Sequence, residues 1–283
     1  MTSPNAEIVD AWAQQPNPTF TAQPWLESLL RWTSQTRDDL LEADLAEVMD
    51  AAGVSVALLS AWCGPQGFLI SNDEVAKTVA QDPGRLRGVA TADIRSPVDA
   101  CREIRRCVEE LGFVAVRIVP WLWQLPPNDR RFYPLYATCV ELGVPLCTQI
   151  GHTGPLLPSE YGRPIPYLDD VLLDFPELTV VGGHVGFPWI DEVLSLALKY
   201  PNFYVDTSAY AVHRLPAALV EYLRGPGRRR VLFGSNWPMI TPADALERLD
   251  ALGLDEETTA AYLGGNARRV FRLDEGAGRG RTA

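Results

Sequence analysis

Three histidines stand in this chain of 283 residues, at His152, His184 and His213. Imidazole exchanges a proton near neutral pH and is also the commonest metal ligand, so their settings matter. His184 lies in residues 182–189, Gly-Gly-His-Val-Gly-Phe-Pro-Trp, after an apolar run at 178–181 and before an amphipathic segment at 190–199. That order reads as strand, glycine turn, helix, with the imidazole presented where the strand ends. His152 has a similar setting in Gln149-Ile150-Gly151-His152-Thr153-Gly154. In parallel α/β sheets this end of the strands faces the ligand crevice. His213, in Ala-Val-His-Arg, is expected to be a solvated or satisfied surface residue.

Other reactive side chains give weaker signals. The cysteines at 63, 101, 107, 139 and 147 form no Cys-x-x-Cys pair, and an odd count fits a reducing compartment. Cys63, in Trp-Cys-Gly-Pro after a strand, would need an adjacent base to act as a nucleophile, and an inert thiol is the expected reading. Lys77 and Lys199 are the two lysines, and both fall in helical patterns, which leaves no candidate for a Schiff base or a carbamylated metal bridge.

The elements that must position these residues alternate. Short apolar runs bounded by turn residues predict strands at 7–13, 54–61, 86–94, 113–120, 145–150, 178–184, 202–208 and 231–235. Helical patterns separate most of them, at 38–52, 74–81, 97–111, 132–142, 168–173, 189–199, 216–223, 242–252 and 255–263, with a last turn at 267–271. Ser96 and Thr241 are the expected N-caps, each followed by proline, and Gly112 and Gly143 the expected stops. Eight strands alternating with helices predict an α/β fold, a closed (β/α)8 TIM-like barrel, with an open Rossmann-like sheet as the alternative. No Gly-x-Gly-x-x-Gly turn follows the first strand, which lowers the dinucleotide reading. Residues 1–273 are expected to form one domain, and the Gly- and Arg-rich residues 274–283 a disordered tail. Two connections are long, 15–37 and 151–167. The stripe from Trp25 to Trp32 in the first is expected to be a core or oligomer-contact helix, with a lid as the alternative.

Composition sets limits on partners. A net charge of −11 argues against non-specific nucleic-acid binding. No run of about 18 apolar residues predicts a membrane span, and residues 1–7 have no signal-peptide pattern, so the expected location is cytoplasmic. If the strands close into a barrel, one mouth gathers Asp10, Trp12, Gln14, Trp62, Asp93, Arg117, Trp121, Gln149, His152, His184, Asp206, Tyr210, Asn236 and Trp237. Two imidazoles, a guanidinium, amides and indoles suit a flat, anionic or carbonyl-bearing small molecule, such as a small-molecule carboxylate substrate.

Several motifs carry a resemblance that spans nearly the whole chain: Ile8-Val9-Asp10, the His152 and His184 turns, Val-Leu-Phe-Gly-Ser-Asn-Trp-Pro at 231–238, and Gly-Asn-Ala-Arg-Arg-Val-Phe at 265–271. The chain resembles the amidohydrolase superfamily, in the branch of the aminocarboxymuconate-semialdehyde and resorcylate-type decarboxylases. The resemblance implies a homodimer and a hydrolase (lactonase or amide type) or decarboxylase. It also implies a divalent metal at the mouth, but the sequence departs there. The branch's strand-1 motif is Asp-x-His-x-His, and this chain reads Asp10-Ala11-Trp12-Ala13-Gln14. The branch's strand-8 aspartate is Asn236. Indole has no lone pair to offer a cation, and a catalytic zinc site takes about three good ligands. The expectation is therefore no tightly bound cofactor, with His184 as acid/base, His152 assisting it or polarising a carbonyl, and the Gln14 and Asn236 amides facing a developing oxyanion. Arg117 is expected to clamp the carboxylate, or alternatively to pair with Asp93 or Glu110. Trp12, Trp62, Trp121 and Trp237 are expected to sandwich a ring, with Tyr210 beside them. Two alternatives stay open: a zinc or manganese enzyme whose metal is held by His152, His184 and Asp93 or Asp206, and a ligand-binding pseudoenzyme.

Overall fold

The computed structural model describes residues 7–274. Apart from Asp274, the expected tail at 274–283 lies outside the described residues. Eight parallel strands form the sheet: β1 (Ile8–Ala13), β2 (Val54–Ser60), β3 (Leu86–Ala90), β4 (Ala115–Ile118), β5 (Leu146–Gln149), β6 (Val180–Gly183), β7 (Phe203–Asp206) and β8 (Val231–Leu232). Each lies within a predicted strand, and each pairs with its neighbour in sequence order. The ring closes through backbone bonds between β1 and the segment after β8: Ala11 N–H donates to Phe233 O at 3.1 Å, Asn236 N–H to Trp12 O at 2.8 Å, and Gln14 N–H to Trp237 O at 3.1 Å. Closure leaves no open edge, so the fold is the TIM barrel and the open-sheet alternative falls.

Alternation along the strands sorts side chains between two cores. Val9, Ala11, Val56, Leu58, Val89, Ala115, Cys147, Val181 and Leu232 fill the barrel interior. Their neighbours on the other strand faces pack under the helices, as Ile104, Leu135, Val193 and Leu219 do from the helical side. The β1–β2 register slips between Asp10 and Ala13, and Trp12 falls in the interior set beside Val9 and Ala11.

Local chemistry explains where the helices differ from expectation. The helix predicted at 38–52 is two, Arg37–Glu42 and Leu45–Ala52, because Asp44 turns extended and its carboxylate caps the second by accepting from Ala46 and Glu47 N–H. The segment predicted at 242–252 is a short helix, Pro242–Ala245, then a 3-10 turn, Leu249–Leu252, with the chain left-handed at Arg248 between them. Thr241 caps as expected, whereas the Ser96 side chain makes no capping bond. A hairpin of Trp62–Gly64 and Gly67–Ile70, not predicted, follows β2 and fixes Trp62 at the mouth.

Candidate active site

At the C-terminal ends of the strands lies a cavity of about 770 Å³. Gln14, Trp62, Trp121, His152, His184, Tyr210 and Asn236 line it, as expected of the mouth. Trp25, Leu29 and Trp32 of the long connection after β1 line it too, while Leu26 and Leu30 of the same stripe are buried in the core as expected, so the stripe is at once a core element and a pocket wall. Trp32 is 68% exposed and meets the His152 ring edge-on at 6.2 Å. His213, half-buried and satisfied at Nδ1 by Glu247 O at 3.2 Å, also lines the cavity. All three histidines therefore face one space.

His184 is the most constrained of them. It follows β6 in a left-handed conformation, φ 73°, and Val185 and Gly186 continue at 53° and 84°. Non-glycine residues seldom adopt this region, and where they do the surroundings must hold them. Val185 is fully buried and its N–H bonds Asp206 O, which fixes the turn. The His184 Nδ1 lies 2.7 Å from Ser208 Oγ, leaving Nε2 as the unengaged ring nitrogen. Its ring centroid is 5.1 Å from that of Trp12. Burial, and then the positive charge of Arg117, hold its pKa down at about 3, so the free imidazole is neutral at pH 7. Burial also lowers that of His152. Asn236 mirrors His184 after β8, left-handed at φ 73°.

Arg117 does not reach the cavity, which corrects its reading as a carboxylate clamp. It shares the inward face of β4 with Ala115 and is 0% exposed. Its guanidinium carbon sits 3.6 Å from the Trp12 ring centroid, and Nη1 donates to Ser60 Oγ at 2.5 Å. Nε and Nη2 have no hydrogen-bond partner among the described residues. The alternative ion pair with Asp93 is also corrected, because Asp93 is held by Arg95 at 2.5 Å. Trp12 and Trp237 are not cavity walls either. Trp12 folds its ring down over Arg117, and Trp237 is buried in the β1–β8 closure. The cavity's indole wall is instead Trp25, Trp62 and Trp121: Trp25 and Trp62 are stacked at 6.0 Å, and Trp121 meets Trp25 edge-on at 5.0 Å. Trp121 Nε1 donates to Gln149 Oε1 at 2.5 Å, which holds both at the mouth.

Two carboxyls lie beneath. Asp10 accepts from Trp12 N–H, Ser235 N–H and Ser235 Oγ, tying β1 to the turn after β8, and burial raises its pKa to about 6. Asp206 accepts from Ser208 N–H at 2.8 Å, its Oδ2 has no partner, and burial raises it to about 7. Cys63 is buried and its thiol is pushed up to about 12, first by burial and then by the negative charge of Asp93, which agrees with an inert thiol.

The donor set does not fit a resident divalent metal. Trp12 offers no lone pair, and Gln14 offers only its unpartnered amide Oε1, a neutral ligand weaker than an imidazole or a carboxylate. The remaining donors nearest the strand ends are the imidazoles of His152 and His184 and amide oxygens, all neutral, with the guanidinium of Arg117 close enough to depress His184; the carboxylates that line the cavity, Asp244 and Glu247, come from the exposed loop after β8. Among the described residues no three His, Cys, Asp or Glu side chains group as a metal site.

A barrel with chemistry at the C-terminal mouth defines the class, and comparison with known proteins defines the family. The amidohydrolase family model matches residues 9–273, and the chain belongs to that family, in its decarboxylase-containing branch. It is 27% identical over 254 residues to the gamma-resorcylate decarboxylase of Polaromonas sp. strain JS666, covering 72% of this chain and 76% of that protein. A TIM-barrel protein of Bordetella bronchiseptica superposes with a TM-score of 0.81 at 26% identity, over 95% of this chain and all of that one. The dihydroxybenzoic acid decarboxylase of Polaromonas, solved with manganese and 2-nitroresorcinol, superposes with a TM-score of 0.70 at 21% identity, over 98% of this chain and all of that one.

Sequence reasoning did not single out Ser208, the partner of His184, or Arg214, which lines the cavity beside His213. The Asp-Thr-Ser run ending β7 was a usable signal for Ser208. Arg214 gave none, because its place depends on how the loop after β7 returns.

Proposed function

We propose that this enzyme is a decarboxylase of a small aromatic carboxylate, working without a resident metal, with His184 as the proton carrier. The observation that carries the reading is His184 itself. It is a neutral imidazole fixed through Nδ1 by Ser208, with Nε2 unengaged, in an indole-walled cavity. The kinship to a resorcylate decarboxylase supplies the substrate class.

The chemistry follows from charge. The free site holds the buried Arg117 cation and disfavours a second positive charge on His184. An anionic ring brought beside His184 offsets that repulsion, so the imidazole takes up a proton together with the substrate. The imidazolium then gives this proton to the ring carbon bearing the carboxylate. The carbon–carboxylate bond breaks, its electron pair restores the aromatic ring, and carbon dioxide leaves. Asn236 stands at the same mouth and provides an amide donor for the phenolate or carbonyl oxygen that gains charge, while the Gln14 amide nitrogen is engaged by Trp237 O. His152, also depressed by burial, is a second neutral imidazole.

A second reading is hydrolysis of a lactone or amide, and one observation favours it. His184 is unprotonated in the free enzyme, the form a general base needs, and a pKa near 3 means that charge developing on the substrate must raise its basicity before it takes a proton from water. Two expectations accompany both readings: a cytoplasmic location and a homodimer. Among the described residues no helix is long and apolar enough to cross a membrane.

The test is a panel of hydroxybenzoates and aromatic lactones assayed for carbon dioxide release and for ring opening. His184→Ala is expected to lower kcat at least about a hundredfold on whichever substrate turns over. Full turnover by that variant would remove His184 from the mechanism. Ring opening without carbon dioxide would replace the first reading by the second.

A further inference from the structure

The cavity has two unlike ends. The inner end carries His184, Gln14 and the Trp25–Trp62–Trp121 wall, and Gln14 is 1% exposed. The outer rim carries His213, Arg214, Asp244 and Glu247 from the loops after β7 and β8. Arg214 ends the 3-10 turn Val212–Arg214 and is exposed. Among the described residues it is the only arginine or lysine lining the cavity, and its guanidinium makes no ion pair or hydrogen bond. Asp244 is engaged by Thr241 Oγ at 2.7 Å, which leaves Glu247 as the competing carboxylate.

Size adds a second, independent observation. At about 30 Å³ for each water-sized group, 770 Å³ houses roughly two dozen non-hydrogen atoms, whereas a single-ring hydroxy acid has about ten. A ring lying at the inner wall against His184 leaves the outer half of the cavity unfilled. Depth matters in the same way, since a molecule reacting at His184 must extend to reach the rim.

We propose that Arg214 is a specificity-determining residue that pairs with a second acidic group at the far end of an extended aromatic substrate, one about twice the length of a single-ring acid. This rests on the aromatic-carboxylate reading above. It adds to that reading a substrate class: aryl acids lengthened by a second ring or a chain and ending in another anion. An arginine suits this role because its planar fork bonds a carboxylate through two N–H donors. In a chain of net charge −11, whose rim also carries two carboxylates, a dianion needs such a cation to enter.

The experiment measures dissociation constants by tryptophan fluorescence for benzoate, biphenyl-4-carboxylate and biphenyl-4,4′-dicarboxylate, on the wild type, Arg214→Gln and Arg214→Lys. The diacid is expected to bind wild type about fivefold more tightly than the biphenyl monoacid, as one partly exposed ion pair allows. Arg214→Gln is expected to abolish that ratio and Arg214→Lys to keep part of it. An equal affinity of the two biphenyl acids for wild type, or a ratio that survives Arg214→Gln, overturns the proposal. So does binding of benzoate with no binding of either biphenyl acid. Failure of all three acids to bind would instead remove the aromatic-carboxylate reading, and this inference with it.

Discussion

Replacing Gly183 by alanine tests whether Trp12 is seated on the barrel floor by the absence of a side chain on β6. A Cβ at Gly183 would come within 2.5 Å of Trp12 Cζ3 and 2.7 Å of Cη2, where ordinary contact is about an ångström longer. The indole cannot simply retreat, because the Arg117 guanidinium lies 3.6 Å from its ring centroid and the ring is 2% exposed. Overpacking of this kind costs about 1–3 kcal/mol. In a domain of this size that lowers the melting temperature by roughly 2–10 °C. The three nearest atoms, Cζ3, Cη2 and Cε3, all belong to the six-membered ring, so Trp12→Leu removes these contacts. In the leucine background the same glycine-to-alanine change is expected to be nearly neutral, because φ at Gly183 is not positive and alanine restricts the unfolded chain. Thermal and urea unfolding of the wild type, both single variants and the double variant complete the cycle. The expected coupling is about 1–2 kcal/mol, with the double variant more stable than additivity allows. Additive effects would refute the reasoning, since alanine at 183 would then cost the same whether or not the indole is there.

Two further outcomes are expected. Protein purified without chelator should carry well under one equivalent of zinc or manganese by elemental analysis, and prolonged treatment with EDTA should leave its melting temperature unchanged; a stoichiometric metal would contradict the reading of the His152, His184 and amide donors, flanked by Arg117, as too weak a set. Asp206 has a folded-state pKa raised to about 7, above its unfolded value, so it contributes stability below about pH 4 that is lost as pH rises through 7. Asp206→Asn should therefore gain in melting temperature relative to the wild type as pH rises from about 4 to 7, and a difference that stays constant across that range would show that Asp206 does not titrate there.

The fold was legible because hydrophobic periodicity and turn residues are local signals. Every barrel strand could be read from a short apolar run, and the turns around His152 and His184 from their glycines. Helix breaks were harder. At Asp44 a side chain chose to cap rather than continue a helix, and the apolar spacing at 40, 41, 45, 48 and 49 carries straight across that choice. The site was legible in part, because strand ends reveal who approaches the mouth but not how deep each side chain sits. Arg117 belongs to the interior layer, two residues beyond the inward Ala115. That parity was available from sequence, and it argues for a buried guanidinium. Trp12 could not be placed the same way, because a register slip in β1 breaks the alternation before it. The wall formed by Trp25 and Trp32, and the rim formed by His213 and Arg214, depend on long loops returning over the barrel, which no local pattern records.

The gathering of all three histidines around one cavity has a practical consequence for spectroscopy. Incorporating isotopically labelled histidine into this chain places every imidazole reporter at the site and none in the background. A two-dimensional spectrum of the ring nitrogens should hold three sets of signals. Their tautomers and shifts would follow a ligand from rim to floor: His213 near the entrance, His152 against Trp32, and His184 bonded to Ser208.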